Sequence, residues 1–241
     1  HRDLHSFPTR RSSDLDIQSP ETTGEAEIVI LSVNDMHASI DQFPKFAAMV
    51  DSLRAIYPDM LLFSAGDNRT GNPVNDQYDP VNYPMIELMN RTGFDLCAVG
   101  NHEWDATVVA LENDIERAHF PFICSNVFIP NTLKLDIKPF VTLEQQGIRM
   151  AVVGLIEVRH DGIPGAHPDN LKLVSFKRPQ EVLPDYQYLR KENDVVLLLS
   201  HCGLEDDMEL AEANPWLDAI IGGHSHTLIE HPSETHGGLI N

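Results

Sequence analysis

Short apolar runs alternate with amphipathic stretches through most of this chain, and the two hydrophobic periods separate cleanly. Residues 26–33 are β-branched and almost continuously apolar, which predicts a strand covered on both faces. Phe46, Met49, Val50 and Leu53 recur at helical spacing, predicting a helix over 43–56 that Pro58 stops. The same reading gives a strand over 60–65, a helix over 81–90 halted near Gly93, a strand over 95–99, a helix over 106–118 and a strand over 122–125. Residues 68–80 are rich in Gly, Asn, Asp and Pro and predict a loop. The pattern then changes. Residues 140–143 and 149–156 flank Gln145-Gln146-Gly147 and predict a hairpin, followed by a loop over 157–173. Alternation resumes with a helix over 180–190, a strand over 195–200, a helix over 206–213 and a strand over 217–221. Residues 237–241 read as a further strand, cut off as it begins. Strand–helix alternation around an inserted hairpin predicts an α/β layered domain with at least one mixed sheet.

Five polar blocks close apolar runs in this pattern: Asn34-Asp35-Met36-His37, Gly66-Asp67-Asn68, Gly100-Asn101-His102-Glu103-Trp104-Asp105, Ser200-His201 and Gly222-Gly223-His224-Ser225-His226. Each falls where a predicted strand gives way to a loop, the place at which open α/β sheets gather a ligand site. Asp35 and His37 stand two apart, so on an extended chain they point the same way. His224 and His226 repeat that spacing on a glycine-flexed loop. Asp67 follows a glycine that lets the backbone turn, and its two oxygens can bridge two cations. Asn101 offers a neutral oxygen and His102 a proton, with Asp105 expected in the first turn of a helix to orient the imidazole. Glu103 reads as a helix-start acid rather than a ligand. Taken singly, most blocks are ordinary turns; together they supply enough oxygen and imidazole donors for two divalent cations side by side, one solution to phosphate-ester hydrolysis. His119, His160, His167, His231 and His236 lack such settings and read as surface or loop residues.

Composition narrows the picture. The 241 residues carry 17 Lys+Arg against 37 Asp+Glu, a formal net charge of −20. Residues 1–15 match the conceptual translation of a common sequencing adapter and are set aside as non-native. They hold Arg2, Arg10 and Arg11 against Asp3 and Asp14, so the remainder has 14 basic and 35 acidic residues, net −21. Such acidity argues against a general nucleic-acid grip, which needs basic surface to neutralise phosphates. A small phosphorylated substrate stays compatible, because bound cations reverse the sign locally. Residues 16–25 read as a polar linker and 26–241 as one domain, long enough for a full core. No apolar run is long enough to span a bilayer. Cys97, Cys124 and Cys202 are odd in number and lack C-x-x-C spacing, so buried free thiols are expected.

The ordered set D-x-H, G-D, G-N-H-E, H and G-H-x-H resembles the calcineurin-like metallophosphoesterase superfamily. The forms G-N-H-E-aromatic-D and G-G-H-S-H are similar to its 5′-nucleotidase branch, where cyclic-nucleotide phosphodiesterases and 3′-nucleotidases also belong. Trp104 stands where phenylalanine is commoner. The resemblance implies an α/β/β/α fold of mixed sheets sandwiched by helices, with 26–241 as a catalytic domain truncated before a C-terminal substrate-binding domain. It further implies a first metal on Asp35, His37 and His226, a second on Asn101, His201 and His224, and Asp67 bridging both. His102, supported by Asp105, would stabilise the transition state or protonate the leaving oxygen. The cofactors implied are two divalent metal ions (Zn, Mn, Fe, Co or Mg), and the partner a small-molecule nucleotide or related phosphate ester. The location implied is periplasmic, cell-surface or extracellular. Two other readings stand beside the 5′-nucleotidase: a 2′,3′-cyclic-nucleotide phosphodiesterase/3′-nucleotidase or other metallophosphoesterase, and a non-catalytic metal- or ligand-binding module.

Overall fold

The computed structural model describes residues 26–235 and 238–240; the adapter-like segment, the linker and His236 lie outside the described residues. The first half runs β1 (Ile30–Val33), α1 (Phe43–Ile56), β2 (Leu61–Ser64), α2 (Pro73–Asp76), α3 (Tyr83–Thr92), β3 (Leu96–Ala98), α4 (Val108–Arg117), β4 (Phe122–Ile123), β5 (Val127–Phe128) and β6 (Ile137–Lys138). The second runs β7 (Phe140–Gln145), β8 (Ile148–Ile156), β9 (Ser175–Phe176), α5 (Pro179–Val182), β10 (Val195–His201), α6 (Leu204–Ala213), β11 (Ala219–Ile221), β12 (Ser233–Thr235) and β13 (Gly238–Ile240). One sheet, ordered β1-β2-β3-β4-β6, is wholly parallel. The other, ordered β12-β13-β11-β10-β8-β7, is parallel from β13 to β8 and antiparallel at both edges.

Period-two burial explains why these sheets stack. In β2 and β3, Leu62 and Cys97 face the α1, α3 and α4 side, while Phe63, Leu96 and Ala98 face the second sheet. In β8 and β10, Met150, Val152, Leu197 and Leu199 meet them, and Ala151, Val153, Val196 and Leu198 turn to α6 and the segment after α5. Both faces of each sheet are therefore apolar, which forces four layers: helix, sheet, sheet, helix.

The helix expected over 180–190 is corrected. Only Pro179–Val182 is α-helical, and Leu183–Lys191 continues as 3-10 helix. Pro184 has no N–H to complete an α-helical bond and its ring crowds the preceding turn, so the tighter winding takes over. The loop over 68–80 contains α2, started by Asn72, whose side chain accepts the Val74 N–H at 3.0 Å, and by Pro73. The loop over 157–173 contains a 3-10 turn at Pro168–Leu171. The β5–β9 pair and β6 had no period to betray them, being two residues long each. The three cysteines are buried and unbridged.

Asp207 on α6 is 1 % exposed and accepts the Ser200 hydroxyl at 2.5 Å. Burial pushes its carboxyl up to about 7, against an ordinary value of 3.8. The folded chain thus keeps this proton where the unfolded chain has lost it, so the fold loses stability as pH rises from about 4 to about 7. The loss is on the order of 4 kcal/mol at most. Asp207→Asn is expected to flatten that segment of a urea-denaturation pH profile and to raise stability at pH 8; an unchanged profile would contradict it.

Candidate metal centre

Within each sheet the parallel strands end at one edge, and five of the connections leaving those ends converge. The loop after β1 lies along the loop after β2 through three backbone bonds: Asp35 N–H to Gly66 O (3.0 Å), His37 N–H to Asp67 O (3.0 Å) and Ala38 N–H to Asn68 O (2.8 Å). Five of the seven predicted ligands adopt left-handed backbone: Asp35 (φ 50°), His37 (45°), Asp67 (55°), His224 (81°) and His226 (52°). Non-glycine residues take that conformation at a cost, and such clustering is characteristic of functional sites. It also revises the expectation of an extended Asp35-x-His37 pair, since the chain curls at each of these residues.

All seven candidate ligands are brought together. His226 Nε2 lies 3.3 Å from Asp35 Oδ1 and 3.0 Å from His37 Nε2. Asp67 Oδ2 lies 3.0 Å from His201 Nε2, and Asn101 Oδ1 is 3.2 Å from His201 Nε2 and 2.9 Å from His224 Nδ1. Two donor groups result, Asp35/His37/His226 and Asp67/His201/His224, with donor atoms within 4.8 Å of one another in each. Asp67 also groups with His37 and His102 on that criterion. His224 and His226 do not face one direction as their spacing suggests; their loop sends one to each group.

The donor set fits cations. For metal–ligand distances of about 2.0–2.2 Å, neighbouring donors lie roughly 3 Å apart, as these do apart from His37 Nε2 and Asp35 Oδ1 at 4.0 Å. His37 Nδ1 faces the Thr70 carbonyl (3.1 Å) and His201 Nδ1 the Ala65 carbonyl (2.7 Å). A carbonyl only accepts, so each ring holds a proton on Nδ1, and in its neutral form it turns the Nε2 lone pair inward, free for a cation. The site also attracts positive charge. Burial draws the His201 imidazole down, but hydrogen bonding and charge from Asp67 outweigh it and bring it up to about 9. Burial likewise pushes Asp67 up, yet His201 prevails and holds that carboxyl low. His224 is lowered by burial and by the neighbouring His201 charge.

His102 sits beside this cluster. Its N–H donates to Asp67 Oδ1 (2.8 Å), its Nδ1 meets Asp105 Oδ2 at 2.5 Å, and its Nε2 lies 3.9 Å from Asp67 Oδ2. The bond to Asp105 raises the imidazole above its ordinary range. Asp105 does so from the end of a 3-10 turn, His102–Trp104, and not from the first turn of a helix; α4 starts only at Val108, capped by the Thr107 hydroxyl.

The sequence reading missed the support beneath the site. Glu103, 3 % exposed, does sit as an acid in the first turn of that 3-10 helix, but it also holds the loops together: its carboxylate accepts the N–H groups of Asp67 (2.9 Å), Asn68 (2.8 Å) and Gly100 (2.7 Å). Burial, reinforced by the Asp67 charge, raises it. Arg69 donates to the Glu103 carbonyl (3.1 Å) and pairs with buried Asp114 (3.4 Å), which Asn82 also contacts (2.9 Å). Gly100 is required because a Cβ there would lie 2.2 Å from Asp67 Oδ1. An acid inside the third block, three residues after its glycine, is the signal that could have marked Glu103, and its partners are backbone groups that sequence does not reveal.

The chain is similar to several known proteins. The protein UshA of Yersinia enterocolitica is 30% identical over 236 residues, covering 87% of this chain and 42% of its own length. A 5′-nucleotidase of Vibrio cholerae is 30% identical over 226 residues, covering 83% of this chain and 40% of its own length. The chain thus spans about two fifths of these relatives. Among solved structures, a 5′-nucleotidase precursor from Thermus thermophilus superposes with a TM-score of 0.76 at 25% identity, covering 89% of this chain and 48% of that one. The NAD nucleotidase of Haemophilus influenzae shares the fold, with a TM-score of 0.80 at 23% identity over 90% of this chain and 50% of that one. Residues 28–228, which include every predicted ligand, match one family throughout, and the chain belongs to the calcineurin-like phosphoesterases, a family of metal-dependent phosphoric ester hydrolases.

Proposed function

We propose that this chain is the catalytic unit of a nucleotidase, a two-cation hydrolase that releases phosphate from nucleotides. One observation carries the reading: Asp67, a buried carboxylate, lies 3.0 Å from His201 in one donor group and within 4.8 Å of His37, which belongs to the other. Asp35, His37 and His226 would hold one cation and Asn101, His201 and His224 the other, with Asp67 the carboxylate that would serve both. Bound there, the cations supply charge to polarise the phosphoryl oxygens and to acidify water toward neutral pH. His102, kept protonated by Asp105, points Nε2 into the site, where it offsets charge building on phosphorus or delivers a proton to the leaving oxygen. Asp105 fixes the ring so that the free nitrogen is the one facing Asp67. Nucleotides are the substrate class favoured, on the likeness to UshA and the 5′-nucleotidases. The periplasmic or cell-surface location implied by the family resemblance remains part of this proposal. Among the described residues no helix is long and apolar enough to cross a membrane.

The test uses the full chain. Chelator-treated protein is expected to lose hydrolysis of an aryl phosphate, and added Zn, Mn, Fe, Co or Mg, tried singly, to restore it. On a nucleotide panel, nucleoside 5′-monophosphates are expected to turn over faster than 3′-monophosphates or 2′,3′-cyclic nucleotides. Undiminished hydrolysis after metal removal, or no hydrolysis by metal-replete protein, would defeat the proposal.

A further inference from the structure

Asn101 presents two unlike ends to its surroundings, and only one of them suits a cation. Its Nδ2 donates to the Gly165 carbonyl at 3.3 Å, while Oδ1 faces His224 Nδ1 and His201 Nε2. Because a carbonyl accepts and never donates, the Gly165 oxygen selects the amide's nitrogen end. Gly165 is held in turn by Glu157, the residue immediately after β8, whose Oε1 accepts the Gly165 N–H. Glu157 is 5 % exposed, and its own N–H donates to the His201 carbonyl at 3.0 Å. Space at the junction is tight on the Glu157 side: a Cβ on Gly165 would lie 3.0 Å from Glu157 Oε1, and at an ordinary 3.6 Å from Asn101 Nδ2. The 157–173 loop, which contributes no predicted ligand, thereby reaches the donor cluster through the backbone of one residue, Gly165, whose N–H meets Glu157 and whose carbonyl meets Asn101.

We infer that Glu157 is a positioning residue: acting through Gly165, it orients the Asn101 amide so that its oxygen, and not its nitrogen, faces the cation shared with His201 and His224. The inference rests on the two-cation reading above. An amide turned end for end would aim N–H groups at positive charge and would remove one ligand while leaving the other six in place. Loss of such an outer partner typically weakens metal binding by roughly 10- to 100-fold.

Calorimetric titration of chelator-stripped full-length chain with Mn²⁺ tests it. The parent is expected to bind in two steps. Glu157→Ala is expected to weaken one step by roughly 10- to 100-fold and to leave the other unchanged. Glu157→Gln keeps an acceptor oxygen for the Gly165 N–H and is expected to restore the weakened step. Gly165→Ala, which crowds the Glu157 contact, is expected to weaken the same step, and it decides the matter should Glu157→Ala fail to melt cooperatively. A parent that binds two cations alongside Glu157→Ala and Gly165→Ala proteins that titrate like it overturns this inference alone. So does a Glu157→Gln protein as impaired as Glu157→Ala, since charge rather than orientation would then be at work. A parent that binds no cation overturns the two-cation reading and this inference with it.

Discussion

Asp67→Asn is expected to empty the centre of both cations and to lower aryl phosphate turnover by about 10³-fold or more. The side chain faces donors of both groups, and its two oxygens are already committed, Oδ1 to the His102 N–H and Oδ2 to His201. Losing an outer partner of a single metal costs roughly 10- to 100-fold, so losing a charged ligand shared by two costs at least the product. Asparagine is the informative replacement because it tolerates the left-handed backbone that Asp67 adopts at φ 55°. The variant therefore keeps its loop while losing a negative charge and one acceptor oxygen. Elemental analysis of purified protein beside a turnover assay reads the result; a full complement of metal with parental turnover would refute the bridging role.

His102→Ala is expected to separate the two quantities that Asp67→Asn moves together. Metal content should stay at the parental level, while turnover falls by roughly 10²- to 10⁴-fold, the usual contribution of a positioned proton donor. The pH profile adds a second readout. The hydrogen bond that His102 Nδ1–H donates to Asp105 raises the imidazole, so the protonated form persists to higher pH than an ordinary histidine allows. A reaction that needs that proton loses rate as pH rises through the imidazole's own value. Asp105→Asn removes the raising partner, and the alkaline limb of the profile should move toward lower pH. Loss of metal in His102→Ala would make His102 a ligand instead, which its place in a third donor group beside His37 and Asp67 allows the experiment to detect.

Much of this architecture was legible because burial has a period. The helix over 43–56 is found with those bounds, and the 149–156 strand pairs antiparallel with its neighbour across Gln146-Gly147. The near-continuous apolar runs meant sheets covered on both faces, and two such sheets stack. Reading failed where a local exception outweighed the period. Pro184 turned a predicted α-helix into 3-10 winding, and the two-residue strands β5, β6 and β9 carried no pattern to read.

The site was legible as chemistry and illegible as geometry. The residue types in the five blocks, and their place after strands, named the donors that meet at the sheet edge. The spacing rules misjudged how they meet: Asp35 and His37 are not extended, and His224 and His226 part company. Glu103, Arg69, Asp114 and Glu157 were invisible as supports, because their partners are backbone groups and loops distant in the chain.

By itself the sequence determined which groups are available and which strand ends carry them, since composition and periodicity are local properties. Tertiary structure alone decided that Asp35 and His226, far apart along the chain, come within 3.3 Å, and that Asp67 lies between two donor groups. Those outcomes depend on how two sheets stack and on buried carboxylates that hold the loops' backbone N–H groups, and neither is encoded in any single stretch of residues.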